Sequence, residues 1–211
     1  MTSTAATHAT RLTIDYPDRS LDRLSTALRL VYILPILIVL GLIGGTTAGN
    51  TAGETGAGVG ALGAGVLVGP VLLMILFRNK YPRWWFDFNL QLVRFSTRVL
   101  AYLALMSDHY PSTDEEQSVH LDLDYPAVAT DLNRWLPLVK WLLALPHYVV
   151  LFFLGIAAVI AVVGAWFAVV FTGRYPRRIF TFVEGVLRWA LRVEAYAFLL
   201  VTDRYPPFSL D

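Results

Sequence analysis

The chain of 211 residues contains no cysteine. Disulfides, thiolate nucleophiles and thiol-ligated zinc or iron–sulfur centres are therefore excluded. Charge is scarce as well: Asp, Glu, Lys and Arg make up 16% of the residues, against roughly 25% in ordinary soluble domains. The formal net charge is only +1, which offers no bulk attraction to polyanions, and nucleic acid is not an expected partner. The common signatures of catalysis are missing too, with no Gly-x-Ser-x-Gly elbow, no Walker A loop and no paired-histidine zinc motif. His8, His109, His120 and His147 form no i, i+4 pair. No catalytic residue, metal ligand set or cofactor is expected.

What is abundant is apolar surface. Hydrophobic residues make up 56% of the chain, and the mean hydropathy is +0.55. Between residues 30 and 77 only Glu54 is charged, and between residues 141 and 173 the sole titratable side chain of this kind is His147. Such stretches point to an integral membrane protein. The polar N-terminus lacks the apolar centre of a cleavable signal peptide, so insertion is expected to rely on the helices themselves.

The sequence also repeats. Ile14-Asp15-Tyr16-Pro17 returns as Leu123-Asp124-Tyr125-Pro126, and Lys80-Tyr81-Pro82-Arg83 as Arg174-Tyr175-Pro176-Arg177. Arg29 and Pro35 return as Lys140 and Pro146, and Asp108-His109-Tyr110-Pro111 as Asp203-Arg204-Tyr205-Pro206. Arg94, Arg98 and Tyr102 reappear as Arg188, Arg192 and Tyr196. These landmarks in one order read as a tandem duplication, with a first repeat over 1–113 and a second over 114–211. A glycine-rich loop (residues 44–54) is present in the first copy alone, and the acidic stretch 107–123 reads as an exposed connection.

Each copy is expected to hold three helices. The spanning segments are placed at about 21–43 and 61–77 in the first copy, and at about 131–154 and 156–171 in the second, with a tight turn near Gly155. Pro35 and Pro146 should kink the leading segments. The third helices, about 84–106 and 178–201, pair an arginine face with aromatic faces, the pattern of a helix lying in the membrane interface. Four spans put every Lys and Arg on one side or at its boundary, so the positive-inside rule favours both termini in the cytoplasm. The expected fold is thus an all-α, four-span membrane protein of two such units.

The run from Phe171 to Leu210, preceded by the stretch 134–148, resembles the bacterial membrane proteins grouped as domain-of-unknown-function family 4389. The likeness is strongest over residues 133–210. It implies a multi-pass protein and carries over no catalytic residues.

Several motifs have a functional and a plainer reading. Gly58-Val59-Gly60-Ala61-Leu62-Gly63 matches a dinucleotide fingerprint, but it leads into a membrane helix with no preceding strand, so helix packing is the better reading. Ala57, Ala61, Gly65 and Gly69 form a small-residue ridge four apart, as do Ala157, Ala161 and Ala165, and such ridges let helices approach closely in lipid. Arg94 with Arg98, and Arg188 with Arg192, could clamp lipid phosphate or an acidic partner. Their plainer reading is orientation in the membrane or local pairing, as between Glu184 and Arg188. Arg174, Arg177 and Arg178 join them as candidate lipid- or partner-binding residues. The Tyr-Pro turns read as headgroup-level anchors.

The function expected on this basis is a non-enzymatic scaffold or accessory subunit of the plasma (inner) membrane. Its expected partners are membrane lipids, anionic ones among them, and a homo-oligomer or larger membrane complex. A small oligomeric channel or transporter is the alternative. A lipid enzyme using Asp87, Asp108, Glu184 or Asp203 ranks last.

Overall fold

The computed structural model describes residues 9–17, 21–36, 38, 68–113, 115 and 117–211. Two short segments alternate apolar and polar residues with the period of two that suits a half-buried strand. Strand β1 (Thr10–Ile14) and strand β2 (Val119–Leu123) pair antiparallel with Leu12 opposite Leu121. Leu12, Ile14, Val119 and Leu121 point into the core, whereas Arg11, Thr13, His120 and Asp122 face outward. The ribbon therefore has one wet face and one dry face.

Helices supply the rest. In chain order they are α1 (Arg23–Tyr32), α2 (Val68–Arg78), α3 (Arg83–Leu103), α4 (Val128–Asp131), α5 (Pro137–Leu143), α6 (Leu145–Thr172) and α7 (Arg177–Ala197). Helix α3 packs on β2 and α7 packs on β1, while α6 lies against both α7 and α1. The result is layered: a two-stranded ribbon, then the amphipathic helices, then the apolar ones. One core cluster joins Leu12 and Leu121 of the ribbon to Val183 and Leu191 of α7 and to Ala165 and Val169 of α6.

The helices α3 and α7 begin and end alike. Asn79 and Gly173 take left-handed backbone angles (φ 51° and 72°) that stop the preceding helices. Pro82 and Pro176 then stand extended at the N-caps, where a missing N–H costs nothing. Beyond the C-termini, Leu105 and Leu200 adopt φ of 64° and 57°. That conformation is disfavoured for a residue with a Cβ, and burial of both side chains in the core holds it.

The fold corrects the all-α, four-span expectation. A sheet is present, and among the described residues α6 is the one helix long and apolar enough to cross a membrane. The turn expected near Gly155 does not form, and α6 runs through it for 28 residues, about 42 Å at the α-helical rise. Gly155 has apolar helix formers on both sides and no polar turn residues to stop the helix, so the stretches 131–154 and 156–171 are not two spans. The break falls earlier, at Ala144 between α5 and α6, with Pro146 in the first turn of α6. In the first half, α1 is followed by a turn at Ile33 and further helical residues at 34–36 and 38, and α2 is described from Val68; residues 37, 39–43 and 61–67 of the spans expected at 21–43 and 61–77 lie outside the described residues. The arginine faces of the third helices pack on the strands: α3 lies on β2 and α7 on β1, and the carbonyls of Leu121 and Leu12 take up Arg94 and Arg188. Placing both termini in the cytoplasm depended on four spans and goes with them. The stretch 107–123 is likewise no simple exposed connection, because its last five residues form β2.

Candidate functional site

The two Asp-Tyr-Pro segments dock across the molecule. After β1, the Tyr16 hydroxyl donates to the carbonyl of Tyr175 at the start of α7, and the Arg177 guanidinium lies 4.6 Å over the Tyr16 ring. After β2, the Tyr125 hydroxyl donates to the carbonyl of Tyr81 at the start of α3, and Arg83 lies 4.9 Å over the Tyr125 ring. Tyr16 meets Phe180 edge to face at 5.1 Å, and Tyr125 meets Phe86 at 5.2 Å. Each strand segment thus fills a slot at the Tyr-Pro-Arg turn of the other half.

The slot tyrosines themselves are buried within the protein. Burial pushes the phenols of Tyr81 and Tyr175 well above their ordinary value of 10.0. A raised phenol keeps its proton in the folded chain and loses it more readily in the unfolded one. The stability it contributes is therefore complete below about pH 10 and is lost as pH rises beyond that. The two differ in one respect: Tyr81 donates to the Leu199 carbonyl at 3.0 Å, whereas the Tyr175 hydroxyl is buried with no partner. Tyr81→Phe is expected to cost about 1 kcal/mol at neutral pH and Tyr175→Phe close to nothing, and each should flatten the alkaline loss. Chemical unfolding at neutral and alkaline pH tests this, and equal costs at neutral pH would refute it.

The paired arginines turn inward. Arg94 donates to the Leu121 carbonyl at 2.8 Å and pairs with Asp122 at 3.0 Å. Arg188 donates to the Leu12 carbonyl at 3.2 Å and pairs with Glu184 at 2.9 Å, and it reaches the Leu210 carbonyl at 3.4 Å. Arg98 and Arg192 bond the carbonyls of Ser112 and Ser209. All four bind backbone within the chain, so their faces hold the strands and the following segments. Of the acids considered for lipid chemistry, Asp108 pairs with Arg29, Asp203 with Lys140 and Glu184 with Arg188, while Asp87 is exposed.

Lys140, the counterpart of Arg29 in the repeat, and His147, the one titratable side chain of its kind in the apolar stretch 141–173, lie buried beneath the C-terminal segment. Lys140 of α5 is fully buried, with Nζ 2.7 Å from Asp203 and 2.7 Å from the Thr202 carbonyl. Its ammonium also faces the Tyr196 ring at 5.2 Å. His147 accepts from Trp189 Nε1 at 3.2 Å and stacks on Phe208 at 4.0 Å, consistent with a hydrogen-bonded histidine. The segment lies so close on α7 that a Cβ on Gly185 would stand 2.8 Å from the Leu210 carbonyl oxygen.

The other candidates lie on the surface. Arg174, Arg177 and Arg178 are exposed between α6 and α7, and Arg78, Lys80 and Arg83 are exposed between α2 and α3. Ala57, Ala61 and Gly65 lie outside the described residues, as does the fingerprint over 58–63. A Cβ added at Gly69 would meet nothing within 4 Å among the described residues. Along α6, Ala165 is buried, Ala161 half-buried and Ala157 exposed. A spacing of four advances 400°, so the ridge drifts about 40° per step from a straight contact line. The packed line is instead Ala158, Val162, Ala165 and Val169.

Residues 135–209 match the family model described as domain of unknown function (DUF4389). The match covers α5, α6, α7 and nearly all of the C-terminal segment. No curated protein and no solved structure matches the chain.

Proposed function

We propose, for a chain whose DUF4389 region comprises α5 to α7 and the segment docked on them, a non-enzymatic role at the plasma (inner) membrane as a scaffold or accessory subunit. The observation that carries this reading is the outward face of α6. Phe152, Phe153, Val159, Ile160, Val163 and Phe167 are each more than half exposed on that helix, and no charged residue interrupts it. A contiguous apolar face of this length does not stay in water, and α6 is longer than the hydrocarbon core is thick. Further apolar side chains on α1 and α5, such as Val31 and Trp141, extend the same character. The wet face of the ribbon supplies the opposite, aqueous pole.

The landmarks shared by the two halves support a second part of the reading, that the chain is two copies of one strand-and-helix unit whose strands have been exchanged. The reciprocal docks of Tyr16 and Tyr125, and the reciprocal bonds of Arg188 and Arg94 to the strands, favour it.

An alkaline carbonate wash of membranes from expressing cells tests the membrane role. The full chain should stay in the pellet, and Phe153→Asp with Ile160→Asp should move a large share to the supernatant or prevent accumulation. Central charges of this kind oppose insertion by roughly 2.5–3.5 kcal/mol each. Quantitative release of the unaltered chain by carbonate would overturn the proposal.

A further inference from the structure

We propose that the two Tyr-Pro-Arg turns are binding sites for anionic phospholipid headgroups. Arg174 and Arg178 contact lipid phosphate at one turn, and Arg78 and Lys80 at the other. This deepens the membrane reading above and rests on it.

Four observations lead here. First, the cations are unopposed: no Asp or Glu occurs over residues 55–86 or 132–183. Among the described residues, no carboxylate pairs with Arg78, Lys80, Arg174 or Arg178. Second, this contrasts with Arg11, Arg29, Arg94, Lys140 and Arg188, each paired with an acid. Arg78, Lys80, Arg174 and Arg178 have no such partner among the described residues, and they are exposed. Third, each turn sits at the end of an apolar helix beside aromatic side chains turned outward. Phe171 is 75% exposed, Phe77 72% and Trp84 68%. Exposed aromatics next to free cations are the composition of a hydrocarbon–headgroup boundary.

Fourth, the turns are held in place. Arg177 and Arg83 are stacked over Tyr16 and Tyr125, whose hydroxyls bond the turn carbonyls of Tyr175 and Tyr81. The neighbouring cations are therefore presented from fixed backbone, which lowers the ordering cost of binding a phosphate. Guanidinium groups suit that partner because they can donate two parallel hydrogen bonds to phosphate oxygens.

The test uses the full chain reconstituted into vesicles of phosphatidylcholine alone, and of equal parts phosphatidylcholine and phosphatidylglycerol. After gentle detergent extraction, the lipid retained by the protein is weighed by native mass spectrometry. The ratio of retained phosphatidylglycerol to retained phosphatidylcholine should exceed the bulk ratio of one by about fivefold, a preference of the size one cation near an anionic surface can supply. Arg174→Gln with Arg178→Gln should lower this to about twofold, and adding Arg78→Gln with Lys80→Gln should bring it to the bulk ratio. Arg174→Lys with Arg178→Lys should keep most of it. Arg23→Gln with Arg204→Gln, each exposed and next in sequence to an acid, removes the same charge elsewhere on the surface and should leave the enrichment intact. An equal loss in that control, or incorporation of the unaltered chain without enrichment, overturns this proposal alone. Failure to incorporate into either vesicle overturns the membrane reading and this proposal with it.

Discussion

Arg188→Ala should lower the unfolding free energy by about 2–4 kcal/mol, and Arg94→Ala by only about 1 kcal/mol. Both arginines bond the middle of a strand, Arg188 at the Leu12 carbonyl and Arg94 at the Leu121 carbonyl. What differs is the fate of the acid left behind. Glu184 is 16% exposed and also accepts the backbone N–H of Ile14 at 3.2 Å, so without Arg188 it becomes a buried charge with a single neutral donor. Asp122 is 70% exposed and returns to water when Arg94 is removed, in the manner of surface pairs that contribute little. Arg188 also loses the Leu210 carbonyl, so the C-terminal segment should loosen with it. Denaturant unfolding in micelles, followed by tryptophan fluorescence, reads the difference. Arg188→Ala combined with Glu184→Gln should recover part of the loss. Equal costs for the two arginines would refute the argument.

Lys140→Met should be comparably severe, at about 3–5 kcal/mol. The lysine has no exposed surface, and its ammonium is matched by Asp203 and the Thr202 carbonyl. Methionine fills the volume but leaves Asp203 unpaired at a largely covered position. Asp203→Asn fails from the other side, stranding a buried ammonium. The double variant, Lys140→Met with Asp203→Asn, should cost less than the two singles added together, because neither charge remains. The asparagine oxygen can still accept the N–H of Asn133, which Asp203 receives in the native fold. A double-variant cycle in the same unfolding assay measures the coupling. Strict additivity would mean that the pair contributes nothing as a pair.

Much of the helical frame was readable from the residues. The amphipathic runs were placed at 84–106 and 178–201, and the helices occupy Arg83–Leu103 and Arg177–Ala197. The interruption near Pro146 was also visible. The strands were not, because Thr10–Ile14 and Val119–Leu123 offer only five alternating residues each, beside polar and Tyr-Pro sequence. Each strand becomes stable through a partner more than a hundred positions away, and no local pattern reports that. The arginines show the same limit. A spacing of four places Arg188 and Arg192 on one face, yet lipid phosphate and a strand carbonyl are equally good acceptors. A backbone carbonyl leaves no mark in the sequence. Lys140 and Asp203 were legible as counterparts of Arg29 and Asp108, but not that each cation meets its acid, because the partners stand 79 and 63 positions apart.

The crossed docking of Tyr16 and Tyr125 has a consequence for the time course of synthesis. The slot at Tyr175 takes a side chain made early in translation, 159 positions before it. The slot at Tyr81 waits the shorter interval of 44 positions for Tyr125. Translation therefore completes the first slot's partner well before the second slot exists, and β1 leaves the ribosome long before α7, on which it packs. Contacts of such long sequence separation must meet their loop-closure entropy before any burial rewards it. Until α7 emerges, the apolar side of β1 lacks the helix that covers it, the interval in which a chaperone or membrane insertase has something to hold.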